Sequence, residues 1–426
     1  MSAGFRTLAG AALELGHRYI TQGVLMRHVP QMLSAPRDRS PQPVLLPFED
    51  ELRFAYMRFG RAWALWALTR AVLSGYVAAP TAVSAWQQVR RRAAAVPTTI
   101  FSEAEEQPTA ARKAASVSVI VPTIDRYPYL RTLLFQLGEQ TLAPAEILVV
   151  DQTPTDRRDT ELYESFSSLP LKVIYQEQAG QCTSRNEALR ESTGDYILFL
   201  DDDDEIPPDL IEKHLHNLDH HRADVSCGAA DEVGAGPLPK NFTYRRASDV
   251  FPTNNSLIRR DILCDSGLFD LAYNTGQRAD GDLGMRVYLS GKSAIYNPEI
   301  SVLHHHAPRG GLRTHKARVI TYASSRQKLL HRHLPSVSEI YLVKRYFTPR
   351  QVRESLWLRA VGTFAIRGGK MRKLLKLLIS LVYLPHTLYE IRKRVKAAGR
   401  MLQEYPQIPT LLGDKREAQQ APSSCR

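Results

Sequence analysis

Strand and helix periodicities alternate through the middle of the chain. Val117-Ser118-Val119-Ile120-Val121 reads as a strand, and Tyr129 to Gln140 carries Leu130, Leu133, Leu134 and Leu137 at helical spacing. Glu146 to Val150 predicts a second strand that ends at Asp151, Asp156 to Phe166 a helix, and Leu171 to Tyr175 a third strand. Thr183 to Glu191 predicts a helix, Tyr196 to Leu200 a fourth strand, and Pro208 to His221 a further helix. This alternation implies an α/β domain with a mostly parallel sheet and helices on both faces. Past Asp224 the regularity fades into short strands and turns, with one clear helix over Asp282 to Leu289 and a short apolar strand over Ile300 to Leu303.

The flanks read as helical. In residues 1–115, Pro36, Pro41, Pro43 and Pro47 separate two helical stretches, and Glu103 to Lys113 reads as a linker. The apolar run Arg61 to Leu68 is interrupted beyond by Arg70 and Pro80, which favours a packed core helix over a membrane helix. Thr314 to Gln403 is helical and basic, with Met371, Leu374, Leu375, Leu378 and Val382 on one stripe. The expected organisation is a helical region and linker (1–115), the α/β domain (116–313), a basic amphipathic helical region (314–412) and a disordered polar tail (413–426).

Composition narrows this picture little, and charge narrows it more. The 43% hydrophobic content of 426 residues suits one large or two modest cores. Cys182, Cys227, Cys264 and Cys425 show no CxxC spacing and read as reduced thiols. No basic segment with an apolar h-region opens the chain and no run approaches the ~20 apolar residues of a membrane span, so a cytoplasmic protein is expected. The net charge is +12, yet Lys344 to Arg400 alone holds fifteen Lys and Arg against Glu354 and Glu390. That surplus of thirteen leaves the rest of the chain nearly neutral, so the overall pI is no argument for nucleic acid. The tail lacks the interleaved aromatics of a base-stacking platform, and no nucleic-acid partner is expected.

The candidate chemistry lies at strand ends. Asp201-Asp202-Asp203-Asp204 follows the fourth strand directly. Crowded carboxylates repel unless a cation neutralises them, and Mg²⁺ or Mn²⁺ shares its shell between such groups and substrate phosphates. The same residues also suit a solvated acidic turn before Pro207 and Pro208. Further loops end strands of the sheet: Pro122 to Arg126, Asp151 to Asp156, Gly180 to Asn186, and Ala279 to Leu283. From local sequence Asp151 suits an Asx-type turn cap before Thr153-Pro154.

These segments together resemble family 2 glycosyltransferases of the glycosyltransferase A fold, a Rossmann-like nucleotide-binding architecture. The resemblance covers Ser116 to His306 and rests on Val119 to Thr123, Val149-Val150-Asp151, Arg185-Asn186, the aspartate tetrad, and Asp280-Gly281-Asp282-Leu283 with Arg286. It implies that Pro122, Thr123, Asp125 and Asp151 hold base and ribose, and that Arg185 meets the diphosphate or a carboxylate. The family's Asp-x-Asp-Asp pattern maps onto Asp201, Asp203 and Asp204, with Asp202 in the variable and replaceable position. Asp203 is then the direct metal ligand, Asp201 faces the ribose or a water of the metal, and His304 completes the metal shell or binds the diphosphate. A register using Asp202 and Asp204 stays open. Asp280 matches the base of inverting members, although Ala279 stands where the family often has glutamate. Asp282 is either the alternative base or a helix N-cap.

The resemblance implies transfer of one sugar, with inversion, from a UDP- or dTDP-sugar to a glycan or lipid-linked acceptor in envelope or surface glycan biosynthesis. The Gln-x-x-Arg-Trp motif of processive members is absent. Arg309 to Arg313 is read as a loop over the donor phosphates or an ordinary surface loop. The basic helices of residues 369–400 either lie on an anionic membrane surface, making the protein peripheral on the cytoplasmic face, or pack their leucines on the domain. The alternative from another class is a non-catalytic scaffold or sugar-binding protein of the same fold.

Overall fold

The computed structural model describes residues 4–24, 46–91, 115–234, 236–307, 329–330, 332, 334–364, 366 and 368–411. The Arg309 to Arg313 loop, residues 314–328 and the 413–426 tail lie outside the described residues. The chain divides into two units, Met1–Pro108 with Tyr244–Ala247, and Thr109–Thr243 with Ser248–Arg426.

Among the described residues the first unit holds four helices, Leu8–Ile20, Phe48–Phe59, Arg61–Leu73 and Ala79–Arg91. Small side chains let them approach: Ala64, Ala71, Ala82 and Ala85 join Leu52 in its core. Arg61–Leu73 buries only Ala64 and Ala71 and turns Trp63 and Leu73 outward, so its aromatic run is not a core stripe. Asp50 accepts from the Thr7 hydroxyl at 2.7 Å and from the Arg6 and Thr7 N–H groups, fixing the start of the first helix.

The second unit is built on a sheet. Its strands are β1 (Val117–Thr123), β2 (Glu146–Asp151), β3 (Leu171–Tyr175), β4 (Tyr196–Phe199), β5 (Asp204–Glu205), β6 (Val225–Glu232), β8 (Ser256–Arg259) and β9 (Ala294–His304); the two-residue β7 (Arg246–Ala247) falls in the first unit. The order is β3-β2-β1-β4-β8-β6-β9-β5. The β3-β2-β1-β4 half is wholly parallel. Beyond β4 the sheet is mixed: β8 runs antiparallel to β4 and β6, β9 parallel to β6, and β5 antiparallel to β9. Val119, Ile120 and Val121 are all fully buried, and side chains alternate along a strand, so both faces of the sheet are covered.

The helical region after residue 336 packs into this same unit. Ile340, Tyr341, Ala398 and Leu411 share the core of Ile120, Phe199 and Leu283. Helices Val337–Tyr346 and Pro349–Gly362 each open on a capping box, Ser336 with Glu339 and Thr348 with Gln351. Cys182, Cys227 and Cys264 form no disulfide among the described residues.

Candidate active site

The chain leaves β4 at Phe199 and crosses the tetrad to reach β5, where Asp204 sits opposite His304 of β9. This path turns three of the four aspartates inward. Asp202, Asp203 and Asp204 are buried, while Asp201 is partly exposed.

Each carboxylate has its own partners. Asp201 accepts from Arg185 Nη2 at 2.6 Å. Asp202 accepts from the Thr123 hydroxyl at 2.8 Å and from Arg126 Nη1 at 2.9 Å. Asp203 accepts from the Ala307 N–H at 2.7 Å through Oδ2, and its Oδ1 lies 3.1 Å from Arg126 Nη1. Asp204 meets His304 Nδ1 at 2.8 Å and accepts from the Asp201 N–H at 2.8 Å. Burial pushes the Asp202 and Asp204 carboxyls up from their ordinary range. Burial works against a charged His304, but the hydrogen bond and charge of Asp204 outweigh it and raise the imidazole.

Asp202 is therefore not the indifferent position of the sequence pattern. Its two oxygens tie the β1 loop, through Thr123 and Arg126, to the tetrad. Arg126 itself had no assigned role, although its place beside a strand-end loop was visible. It is the counter-charge of Asp202 and Asp203.

The orphaned atom of the cluster is Asp203 Oδ1, buried without a hydrogen-bond donor. Among the described residues no group of three His, Cys, Asp or Glu is arranged to hold a metal ion. A divalent cation fits here only if Asp203 and Asp201 supply a minority of its oxygens and a bound diphosphate supplies others, the usual manner of Mg²⁺. Of the four expected ligands, Asp204 and His304 are turned to each other.

The β1 and β2 loops lie together. Asp125 has left-handed φ (56°), donates its N–H to Thr153 Oγ1 at 3.0 Å and ion-pairs with Arg157 at 2.8 Å. Pro122 is half-buried beside it, paired in register with Val150. Asp151 is fully buried and forms the Asx turn: its Oδ1 accepts from the Thr153 N–H at 2.9 Å. Its Oδ2 accepts from two phenols, Tyr127 at 2.9 Å and Tyr163 at 2.8 Å. Burial first, and then the Asp151 carboxylate, raise both phenols, so they remain donors. The sequence offered no sign that two tyrosines from different helices converge on Asp151.

Helix Gln181–Glu191 presents Arg185 and Asn186 on its buried side. Asn186 exchanges two 2.8 Å hydrogen bonds with the Phe269 backbone, which fixes the turn of helix that carries Arg185. The helix N-terminus is occupied by Asn274, whose Oδ1 accepts from the Cys182 and Thr183 N–H groups at 3.0 Å.

Asp280 and Asp282 differ sharply. Helix Ala279–Leu289 starts three residues earlier than its periodicity predicts, behind Arg278 in left-handed conformation, so Asp282 is interior and no cap. Asp282 is fully buried and receives Arg286 through Nε at 3.0 Å and Nη2 at 2.9 Å, with the Tyr346 hydroxyl at 2.7 Å. Asp280, in the first turn, is exposed. Only Asp280 of the two is open to an incoming hydroxyl.

Residues 118–280 match the model of the family described as glycosyl transferase family 2. The chain is 34% identical over 114 residues to the glycosyltransferase GlyA of Streptococcus pneumoniae, which is 26% of this chain and 16% of GlyA. It is 29% identical over 167 residues to the uncharacterized glycosyltransferase YwdF of Bacillus subtilis, covering 36% of this chain and 62% of that one. It is 29% identical over 145 residues to TarS of Staphylococcus aureus, a poly(ribitol-phosphate) beta-N-acetylglucosaminyltransferase, covering 33% and 25%. The chain thus spans less than two thirds of the length of each of these relatives. Among solved structures, TarS 1–349 of S. aureus in complex with UDP-GlcNAc superposes with TM-score 0.42 at 18% identity, over 68% of this chain and 92% of that one. GalNAc-T7 with UDP, GalNAc and Mn²⁺ superposes with TM-score 0.44 at 15% identity, over 68% and 58%.

Proposed function

We propose that this chain, whose residues 118–280 are a family 2 glycosyltransferase domain, transfers one sugar from a nucleotide-diphosphate sugar to an acceptor hydroxyl with inversion. The observation that carries this reading is the buried Oδ1 of Asp203, which makes no hydrogen bond and has the Arg126 guanidinium, shared with Asp202, 3.1 Å away. One guanidinium shared by two buried carboxylates leaves surplus negative charge, which a divalent cation would neutralise.

A Mn²⁺ or Mg²⁺ held there by Asp203 and Asp201 supplies charge stabilisation to the departing diphosphate. Arg185 orients Asp201, and Arg126 holds Asp202 and Asp203 at fixed separation. Asp280 takes the proton of the acceptor hydroxyl as that oxygen bonds to the anomeric carbon. The anomeric C–O bond to phosphate breaks on the opposite face and its electron pair leaves with the diphosphate, which inverts the centre. Asp282, closed by Arg286 and Tyr346, positions the helix and is no base. The name of TarS, a poly(ribitol-phosphate) beta-N-acetylglucosaminyltransferase, supports a polymeric acceptor, and a UDP- or dTDP-sugar is the donor class tested first.

The test is nucleotide release from a panel of UDP-, dTDP- and GDP-sugars with Mn²⁺ or Mg²⁺, with and without EDTA. Release that requires metal and is lost in Asp203→Asn and Asp280→Asn is the expected result. A folded wild-type chain that releases nucleotide from no donor under any metal leaves the non-catalytic scaffold standing instead.

A further inference from the structure

Helix Lys370–Val382 is packed inside out. Its buried residues are Lys376 and Ser380, one turn apart on the same side. Lys376 Nζ donates to the Leu329 carbonyl at 2.7 Å and Ser380 Oγ to the Thr363 carbonyl at 3.2 Å. The opposite side carries Met371, Leu374, Leu375, Leu378, Leu381 and Val382, all exposed, with Met371 and Val382 at 77% and 78%. A helix that belonged to the core would bury this stripe and turn Lys376 to water. Contiguous apolar surface of this kind marks a surface made to meet something apolar.

The charge around the face says what that is. Lys370 and Lys373 are exposed on the same helix, and Arg392, Lys393, Lys396 and Arg400 are exposed on the next, Leu384–Glu404, which leaves at a bend of 60°. Residues Lys344 to Arg400 carry fifteen basic residues against two acidic ones. A second copy on this face would bring two such regions together, with like charges opposed. An anionic lipid surface offers the reverse: apolar chains for the stripe and phosphates for its flanks. Among the described residues no single helix is long and apolar enough to cross a bilayer; only the bent pair together meets that length and composition. With Lys376 and Ser380 fastened to the protein, the first helix can offer only its outer face, which suits lying in the membrane plane.

We infer that Lys370–Val382 inserts its leucine face into one leaflet of an anionic membrane, with the basic turns of Leu384–Glu404 against the headgroups. This reading does not depend on the sugar-transfer reaction.

Vesicle flotation of the full chain tests it, using phosphatidylcholine alone and with about one third phosphatidylglycerol. The wild type should float with the anionic vesicles at low salt, several-fold less at about 0.5 M NaCl, and not with neutral ones. Leu374→Asp with Leu378→Asp should lower flotation at least tenfold, and Lys393→Glu with Lys396→Glu several-fold. All four positions are exposed, so thermal melting should match the wild type in both variants. Three results overturn the inference: no flotation of wild type on anionic vesicles at low salt, undiminished flotation of the leucine variant, or a wild-type dimer that the leucine variant converts to monomer without any lipid binding.

Discussion

The Tyr346 phenol donates a 2.7 Å hydrogen bond to Asp282 Oδ1, which ties helix Val337–Tyr346 to helix Ala279–Leu289. Tyr341 of the same helix donates to Asp270 at 2.6 Å. The C-terminal helices are thereby part of the scaffold that holds the turn bearing Asp280. Tyr346→Phe removes a donor from a buried carboxylate, at a cost of about 1.5–3 kcal/mol. The expected outcome is a lower urea midpoint and a several-fold drop in kcat with the donor KM unchanged. An unchanged midpoint would mean that Arg286 and the Tyr273 hydroxyl, 3.4 Å from the same oxygen, satisfy Asp282 without it.

Asp202 and Asp203 should separate into a structural and a catalytic carboxylate. Asp203→Asn removes charge where the cation is placed, and metal stabilisation of a leaving group is worth several kcal/mol, so nucleotide release should fall by about 100-fold or more. Its melting temperature should fall less than that of Asp202→Asn, because Oδ1 loses an ion-pair contact with Arg126 but no hydrogen bond. Asp202→Asn leaves Thr123 or Arg126 without its full acceptor and should cost about 1–3 kcal/mol of stability. Paired assays of release and thermal melting decide; loss of release in the Asp202 variant with full release in the Asp203 variant would reverse the register.

Gly180 and Asn274 form one device. A Cβ on Gly180 would come within 2.2 Å of Asn274 Nδ2, and Asn274 Oδ1 caps the helix that carries Arg185. Gly180→Ala must push Asn274 aside and uncover two N–H groups, costing about 1–3 kcal/mol. In an Asn274→Ala background the same change should cost little, because the clash and the cap are already gone. The coupling read from a double-mutant cycle in urea checks this; additive costs would refute it.

β1, β2 and β4 were legible because they are largely apolar runs buried on both faces, and β3, interrupted by Lys172, by its apolar remainder. β9 was read as Ile300 to Leu303 alone, yet it spans Ala294–His304. The polar Asn297-Pro298-Glu299 hid its first part, and the structure absorbs them in a register shift: Gly228 pairs with Asn297, but Ala229 with Ser301. The tetrad and its loops were legible as charge at strand ends. The partners were not, because Arg126 on Asp202, two tyrosines on Asp151 and Tyr346 on Asp282 are long-range pairings with no periodicity. The leucine stripe of Lys370–Val382 was legible as well, but a stripe does not say which way it faces; the burial of Lys376 does.

His214 makes the fold acid-sensitive at a point away from the tetrad. It is fully buried, with Nε2 2.8 Å from Asn255 Oδ1 and Nδ1 2.8 Å from Ser226 Oγ. Asn255 Nδ2 donates to the Ala229 and Ile300 carbonyls, so its Oδ1 is an acceptor and His214 Nε2 carries the proton. Nδ1 then accepts from the Ser226 hydroxyl, which itself accepts from Asn217 Nδ2. None of these neighbours is charged, and a second proton on the ring would have to displace the Ser226 hydroxyl proton from its place. Burial accordingly lowers the imidazole to about 4, from 6.5. Between those values the unfolded chain binds a proton that the folded one refuses, so stability is complete above pH 6.5 and declines as pH falls toward 4, by up to about 1.4 kcal/mol per pH unit. From pH 7 to pH 5 this amounts to about 2 kcal/mol. His214→Gln keeps a donor toward Asn255 without titrating. Urea unfolding at the two pH values should show the wild type losing about 2 kcal/mol more than the variant. Equal losses in the two proteins would place the acid sensitivity elsewhere.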